Sequence, residues 1–216
     1  MIKQAGKTKK ALVKVIYQGK VALRKASMQE SHDKILFRGP GEASVGGLPT
    51  ISLTYHAGDI FAAPDHAVLV HACNTKGSWG GGIAIPFKSA YPNAYSVYRE
   101  HCLSSSEPVQ TGTCLLIAPC ETGTGPKHWI GCLFTSVAYG RRKDVPDEIL
   151  KNTGLAVRDL LLKLKESKER GEKIGSLRMC KINSGKFEVE WERTEDVLMG
   201  VMVEEGWDAE IEIWDR

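Results

Sequence analysis

The sequence predicts an α/β fold, a three-layer α/β/α domain, and three observations carry that expectation. Compact apolar runs rich in β-branched residues, "AVLVHACN", "CLLIAPCE" and "WIGCLFTSV", read as buried strands. Apolar residues recur at helical intervals between and after them. The two patterns alternate from residue 51 onward, which covers a sheet on both faces. With 216 residues, 42% of them hydrophobic, the chain can bury one good core, and its length does not require two domains.

The first fifty residues stand apart. They hold ten Lys/Arg against three Asp/Glu, a balance of +7, whereas residues 51–216 carry −4. The Gly- and Pro-rich "RGPGEASVGGLP" closes the basic segment as a linker. Residues 1–50 are therefore expected to be a basic N-terminal extension, with the folded domain over 51–216. Within the extension, "ALVKVIYQGKVAL" fits a short strand pair or a segment ordered only on binding. The arm itself fits a solvated extension, a nucleic-acid contact to RNA, or an organelle-targeting segment.

The elements of the folded domain follow in order. "TISLTYHAGDI" alternates as a strand, and "AVLVHACN" is the first buried one. "KSAYPNAYSVYREHC" spaces Tyr91, Tyr95, Tyr98 and Cys102 as the core face of one helix. "CLLIAPCE" and "WIGCLFTSV" are two more strands. A second helix starts near Pro146 and buries Leu150, Thr153, Val157, Leu160, Leu161 and Leu164. "LRMCKI" is strand-like. A third helix carries Val197, Leu198, Val201 and Met202 on one side, with Gly206 as its stop, and "DAEIEIWD" alternates as the last strand.

Composition excludes several classes. No run of about 18 apolar residues is present for a membrane span, and no apolar block marks a secretory signal. The expectation is a soluble, intracellular, monomeric protein of the cytoplasm and/or nucleus. Cys73, Cys102, Cys114, Cys120, Cys132 and Cys180 form no C-x-x-C pair, so spacing predicts buried free thiols and no metal site.

Chemistry concentrates in "HACNTKGSWGGGIA", residues 71–84, which is strand, glycine loop, then helix. Glycines let the main chain approach a ligand, and exposed amides suit an anion, so phosphate is the natural guest. Neither a P-loop nor a G-x-G-x-x-G motif is present. "KINSGKFEVEW" follows another strand and falls at the same strand ends, where α/β sheets bind ligands. Two such loops could clamp a diphosphate. Asp59, in "AGDIF", is suited to accept a hydrogen bond from an exocyclic amine or a hydroxyl.

"AGDIF", "HACNTKGSWGGGIA" and "INSGKFEV", in this order, resemble the macro domain, most closely its fungal ADP-ribose 1''-phosphate phosphatase branch. The resemblance spans about residues 51–216 and implies a central mixed sheet, with ADP-ribose and its phosphorylated derivatives as ligands and no cofactor. It implies that Asp59 and Ile60 meet adenine and Asn74 the distal ribose, with Gly58 and Cys73 also among the substrate-binding residues. Trp79, Gly80, Gly81, Gly82, Ile83 and Ala84 would form the first phosphate loop, and Asn183, Ser184, Gly185, Lys186 and Phe187 the second. Where the hydrolase branches carry an aspartate in one loop or the other, this chain has Ala84 and Phe187. Glu188 stands where glycine is common.

The implied activity is removal of the terminal phosphate from ADP-ribose 1''-phosphate, a by-product of tRNA splicing. An imidazole is suited to general acid/base work, and the branch has a histidine at this position, so His71 is the candidate acid/base, with Asn74 orienting the phosphate or the attacking water. The alternatives are a non-catalytic ADP-ribose reader and a hydrolase releasing ADP-ribose from proteins or O-acyl esters.

Overall fold

The computed structural model describes residues 49–104, 107–203 and 209–215. The strand pair expected in the basic extension lies outside these residues. The described residues build one six-stranded sheet. Its strands are β1 (Ser52–Ala57), β2 (Val68–Asn74), β3 (Cys114–Ile117), β4 (Trp129–Ser136), β5 (Leu177–Met179) and β6 (Glu210–Asp215), in the order β1-β6-β5-β2-β4-β3. Every neighbouring pair is parallel except β3 and β4. This is the mixed sheet of an α/β/α domain.

β2 and β4 lie centrally and are buried on both faces, which is why they read as continuous apolar runs. One face carries α1 (Ala84–Ala90) and α2 (Pro92–Ser104). Phe87, Tyr91, Ala94 and Tyr98 pack there on Leu69, Ile130, Cys132 and Phe134. The other carries α3 (Pro146–Glu169) and α4 (Trp191–Met199), whose Val157, Leu160, Leu164 and Leu198 pack on Val68, Val70, Leu133, Ile211 and Ile213. α3 starts with Pro146 in its first turn, where the missing N–H costs nothing, followed by Asp147 and Glu148 at the positive end of the dipole.

Two expectations need correction. The tyrosine stripe is buried at Tyr91 and Tyr98, but it spans two helices, because the chain leaves helical geometry at Tyr91 (φ −130°, ψ 65°) before Pro92 starts α2. The last helix ends at Gly200, ahead of Gly206, which falls outside the described residues. Val201 and Met202 continue the apolar spacing without being helical. Val203 N donates to Pro49 O, and Met202 bridges Thr50 antiparallel, so the chain turns along the start of β1 instead.

Candidate functional site

At the C-terminal ends of the parallel strands lies a cavity of about 1070 Å³, at the upper end of the range for small-molecule sites. Four segments wall it. The first follows β2. Asn74 Nδ2 donates to Ser78 O at 2.7 Å and its Oδ1 accepts from Lys76 N at 2.9 Å, so this side chain closes the start of the glycine loop. Gly82 has φ +56°, a conformation that a Cβ would strain.

The second segment follows β5. Asn183 (φ 65°) is buried and points away from solvent. Its Nδ2 donates to Thr153 Oγ1 at 2.9 Å, and its Oδ1 accepts from Thr135 Oγ1 at 3.2 Å. That anchors the turn, which Glu188 N closes on Gly185 O. Lys186 reaches from it over the first loop.

The third segment, Tyr139–Lys143, joins β4 to α3 and brings Tyr139, Gly140, Arg141 and Lys143 to the cavity. Lys143 Nζ meets Glu188 Oε2 at 2.6 Å, tying this segment to the second loop. The hydrogen bond and charge of Lys143 hold the Glu188 carboxyl below its ordinary range. The fourth segment is the end of β6. Trp214 lines the cavity beside Gly58 and Ile60, stacked on His56 at 4.9 Å and under Arg178 at 4.3 Å. Lys181 Nζ pairs with Asp215 at 2.7 Å. Among the described residues, four cations (Arg141, Lys143, Lys181, Lys186) and two carboxylates (Glu188, Asp215) line the space. The excess favours an anionic guest.

Of the residues expected at the site, Gly58, Ile60, Asn74, Gly80, Gly81, Gly82, Ile83, Ala84, Asn183, Ser184, Gly185, Lys186 and Phe187 line this one cavity. Asp59, His71, Cys73 and Trp79 do not. Asp59 is exposed, and its Oδ1 accepts from Phe61 N at 3.1 Å. Strand alternation turns His71 and Cys73 away, and Trp79, in the loop after β2, is folded into the same apolar cluster. Ala72 and Asn74 face the cavity, so His71 and Cys73 face α1 and α2. His71 is fully buried, stacked on Phe87 at 4.2 Å with the Trp79 ring at 4.7 Å edge-on. Trp79 stacks on Tyr98 at 5.1 Å and offers no face to a sugar ring.

Burial opposes a Cys73 thiolate. The hydrogen bond from Cys132, the neighbouring His71 and the Trp79 indole outweigh it and bring the thiol down to about 6. Cys132 is pushed up by burial and by Cys73.

Sequence reading missed Tyr139, Arg141, Lys143 and Trp214. "SVAYGRRKD" stands between a strand and a helix, as the first glycine loop does, and its three consecutive cations are the signal that could have found it.

A two-loop, cation-rich cleft at the strand ends of a mixed α/β/α sheet has the form of an anion-binding domain. The chain belongs to the macro domain family, whose model matches residues 70–198. It is 47% identical over 161 residues to the ADP-ribose 1''-phosphate phosphatase of Chaetomium globosum, covering 72% of this chain and 87% of that protein. The protein of the same name from Aspergillus fumigatus is 42% identical over 176 residues, covering 68% and 88%. Among solved structures, the macrodomain of Mycobacterium tuberculosis DarG superposes with a TM-score of 0.58 at 22% identity, covering 76% of this chain and 98% of that one, and shares the fold. Among the described residues, no helix is long and apolar enough to cross a membrane.

Proposed function

We propose that this protein is an ADP-ribose 1''-phosphate phosphatase, releasing inorganic phosphate and ADP-ribose. The observation that carries the reading is the cavity itself. Two glycine-bearing loops face each other, with an aromatic ring at one end and a cation cluster at the other. Relatives more than 40% identical over most of their length carry that name.

On this reading the work is divided as follows. The adenine lies toward Ile60 and Trp214, with Asp59 at the rim, and the diphosphate between Gly80–Ala84 and Asn183–Phe187. The terminal phosphate then reaches Arg141, Lys143 and Lys186. A water oxygen attacks phosphorus, the bond from phosphorus to the ribose oxygen breaks, and negative charge spreads over the phosphoryl oxygens, where fixed cations stabilise it. Glu188 is the carboxylate at this end and accepts the proton of the attacking water, and the departing ribose oxygen takes a proton from solvent. Asn74 holds the first loop in shape. His71, which does not reach the cavity, acts through Trp79 and Phe87 as a positioning residue.

The test is phosphate release from ADP-ribose 1''-phosphate by the purified protein, with ADP-ribosylated protein assayed in parallel. Turnover of the first substrate supports the reading. Binding of ADP-ribose with no phosphate released makes the protein a reader, and release of ADP-ribose from the modified protein makes it an ADP-ribosyl hydrolase.

A further inference from the structure

Beneath the first glycine loop, on the face of the sheet away from the cavity, the imidazole of His71 and the thiols of Cys73 and Cys132 converge. One donor atom from each lies within 4.8 Å of the others, and all three residues are buried. The sheet itself makes this arrangement. His71 and Cys132 are cross-strand partners on β2 and β4, and Cys73 follows His71 by two residues, so the three side chains share one face. Spacing along the sequence hid the group, because β4 begins more than fifty residues after β2.

We infer that these three residues form a closed site for one thiophilic d10 cation, zinc(II) or copper(I). Cys73 Sγ stands 3.5 Å from His71 Nε2. Sulfur and nitrogen bound to a common zinc at about 2.3 and 2.0–2.1 Å, with a near-tetrahedral angle, are held about 3.5 Å apart. This pair already has about the separation that a shared ion would impose; the sulfur lies 3.7 Å from Nδ1 as well, so the imidazole turns one nitrogen toward the ion on binding, and the third donor lies within 4.8 Å of both.

Donor chemistry selects the class of ion. Two sulfurs and an imidazole suit zinc(II) or copper(I), whereas magnesium and calcium require oxygen ligands. A second observation points the same way. Trp79 Nε1 is buried and, among the described residues, has no oxygen or nitrogen acceptor, while its ring packs edge-on against His71. The Cys73 sulfur is the acceptor the indole meets, and a metal-bound thiolate accepts that N–H more strongly than a thiol does.

On binding, Cys132 exchanges its S–H bond for a sulfur–metal bond and its proton leaves to solvent. Enclosed on every side and facing away from the cavity, the ion touches no substrate. It fastens β2 to β4 under Trp79, which carries the first loop.

The test measures zinc and copper in the full-length protein purified under reducing conditions. The metal-free protein is then refolded with zinc(II), or with copper(I) and a reductant, each against a chromophoric chelator. X-ray absorption on the loaded protein reads the ligands. The expected result is about one ion per chain, sulfur and nitrogen in its first shell, a raised melting temperature, and loss of the ion in Cys132→Ala. The inference is overturned if the wild type neither retains nor takes up either ion, if the bound ion has no sulfur ligands, or if folded Cys132→Ala keeps it. Should Cys132→Ala fail to fold, the absorption spectrum of the wild type decides. None of these readouts depends on phosphatase activity.

Discussion

Lys186 of the second loop lies across Gly81 of the first, so close that a Cβ placed on Gly81 would stand 3.3 Å from Lys186 Cγ. The two loops that face the ligand are therefore spaced by the absence of a side chain. Gly81→Val forces Lys186 aside and puts a branched group where backbone must approach phosphate. The expected outcome is at least about a tenfold loss of ADP-ribose affinity, on the order of 1.4 kcal/mol, with an unchanged circular dichroism spectrum. Calorimetry at wild-type affinity would remove the loop from the phosphate site.

Trp214 lines the cavity with a ring held between His56 and Arg178. Trp214→Ala should weaken ADP-ribose binding by about 0.5–1.5 kcal/mol beyond the lost contact area. Ribose 5-phosphate, which lacks the base, should bind both proteins alike. An equal loss for both ligands would place the adenine elsewhere.

Lys143 is expected to matter more for chemistry than for binding. If it stabilises charge on the transferring phosphoryl group, Lys143→Met should lower kcat by roughly 10²-fold or more while the affinity for ADP-ribose, which lacks the terminal phosphate, changes little. Loss of ADP-ribose affinity at constant kcat would instead assign Lys143 to the diphosphate.

His71 sits in an aromatic box, so its truncation should first be felt in the fold. His71→Ala is expected to cost about 2–5 kcal/mol of stability, as other large-to-small core changes do. Well below its lowered melting temperature, the variant should keep most of its turnover if His71 acts only by positioning. A loss of about 10²-fold in kcat with an unchanged melting curve would return the imidazole to the chemistry.

Alkaline pH should weaken the fold. Burial raises the Cys102 thiol from 9.0 to about 11 and pushes Cys114 higher still. The folded protein keeps protons that the unfolded chain gives up, so this stability is complete below about pH 9 and is lost as pH rises through 11. Melting temperatures measured from pH 8 to 11 should fall, and Cys114→Ala should flatten the slope. A flat wild-type profile would contradict the assigned burial.

Much of this architecture was legible in the residues. The buried strands announce themselves because parallel strands covered on both faces have no polar side, and α3 does so because its stripe is long and starts at Pro146. Both loops were found because glycine at a strand end has few other uses. Strand parity was not legible at His71. Alternation fixes that His71 and Asn74 face opposite ways, but only the packed helices reveal which of the two meets the ligand. Trp214 was hidden for a related reason, since "EIEIWD" shows a strand without showing that its end reaches the cavity. The helix end at Gly200 depended on a distant partner, Pro49, which no local pattern contains.

The parallel pairing of β1 with β6 also bears on biogenesis. Among the described residues, β1 is made early but has no sheet neighbour until Glu210–Asp215 insert between it and β5. During synthesis, the start of the domain must wait at the ribosome for the end, with Leu53 and Tyr55 lacking their strand partners Ile211 and Ile213 throughout. Because Trp214 and Asp215 also wall the cavity, a nascent chain acquires its binding site only when its last strand docks. Ligand present at that moment rewards completion of the fold and stabilises no shorter chain.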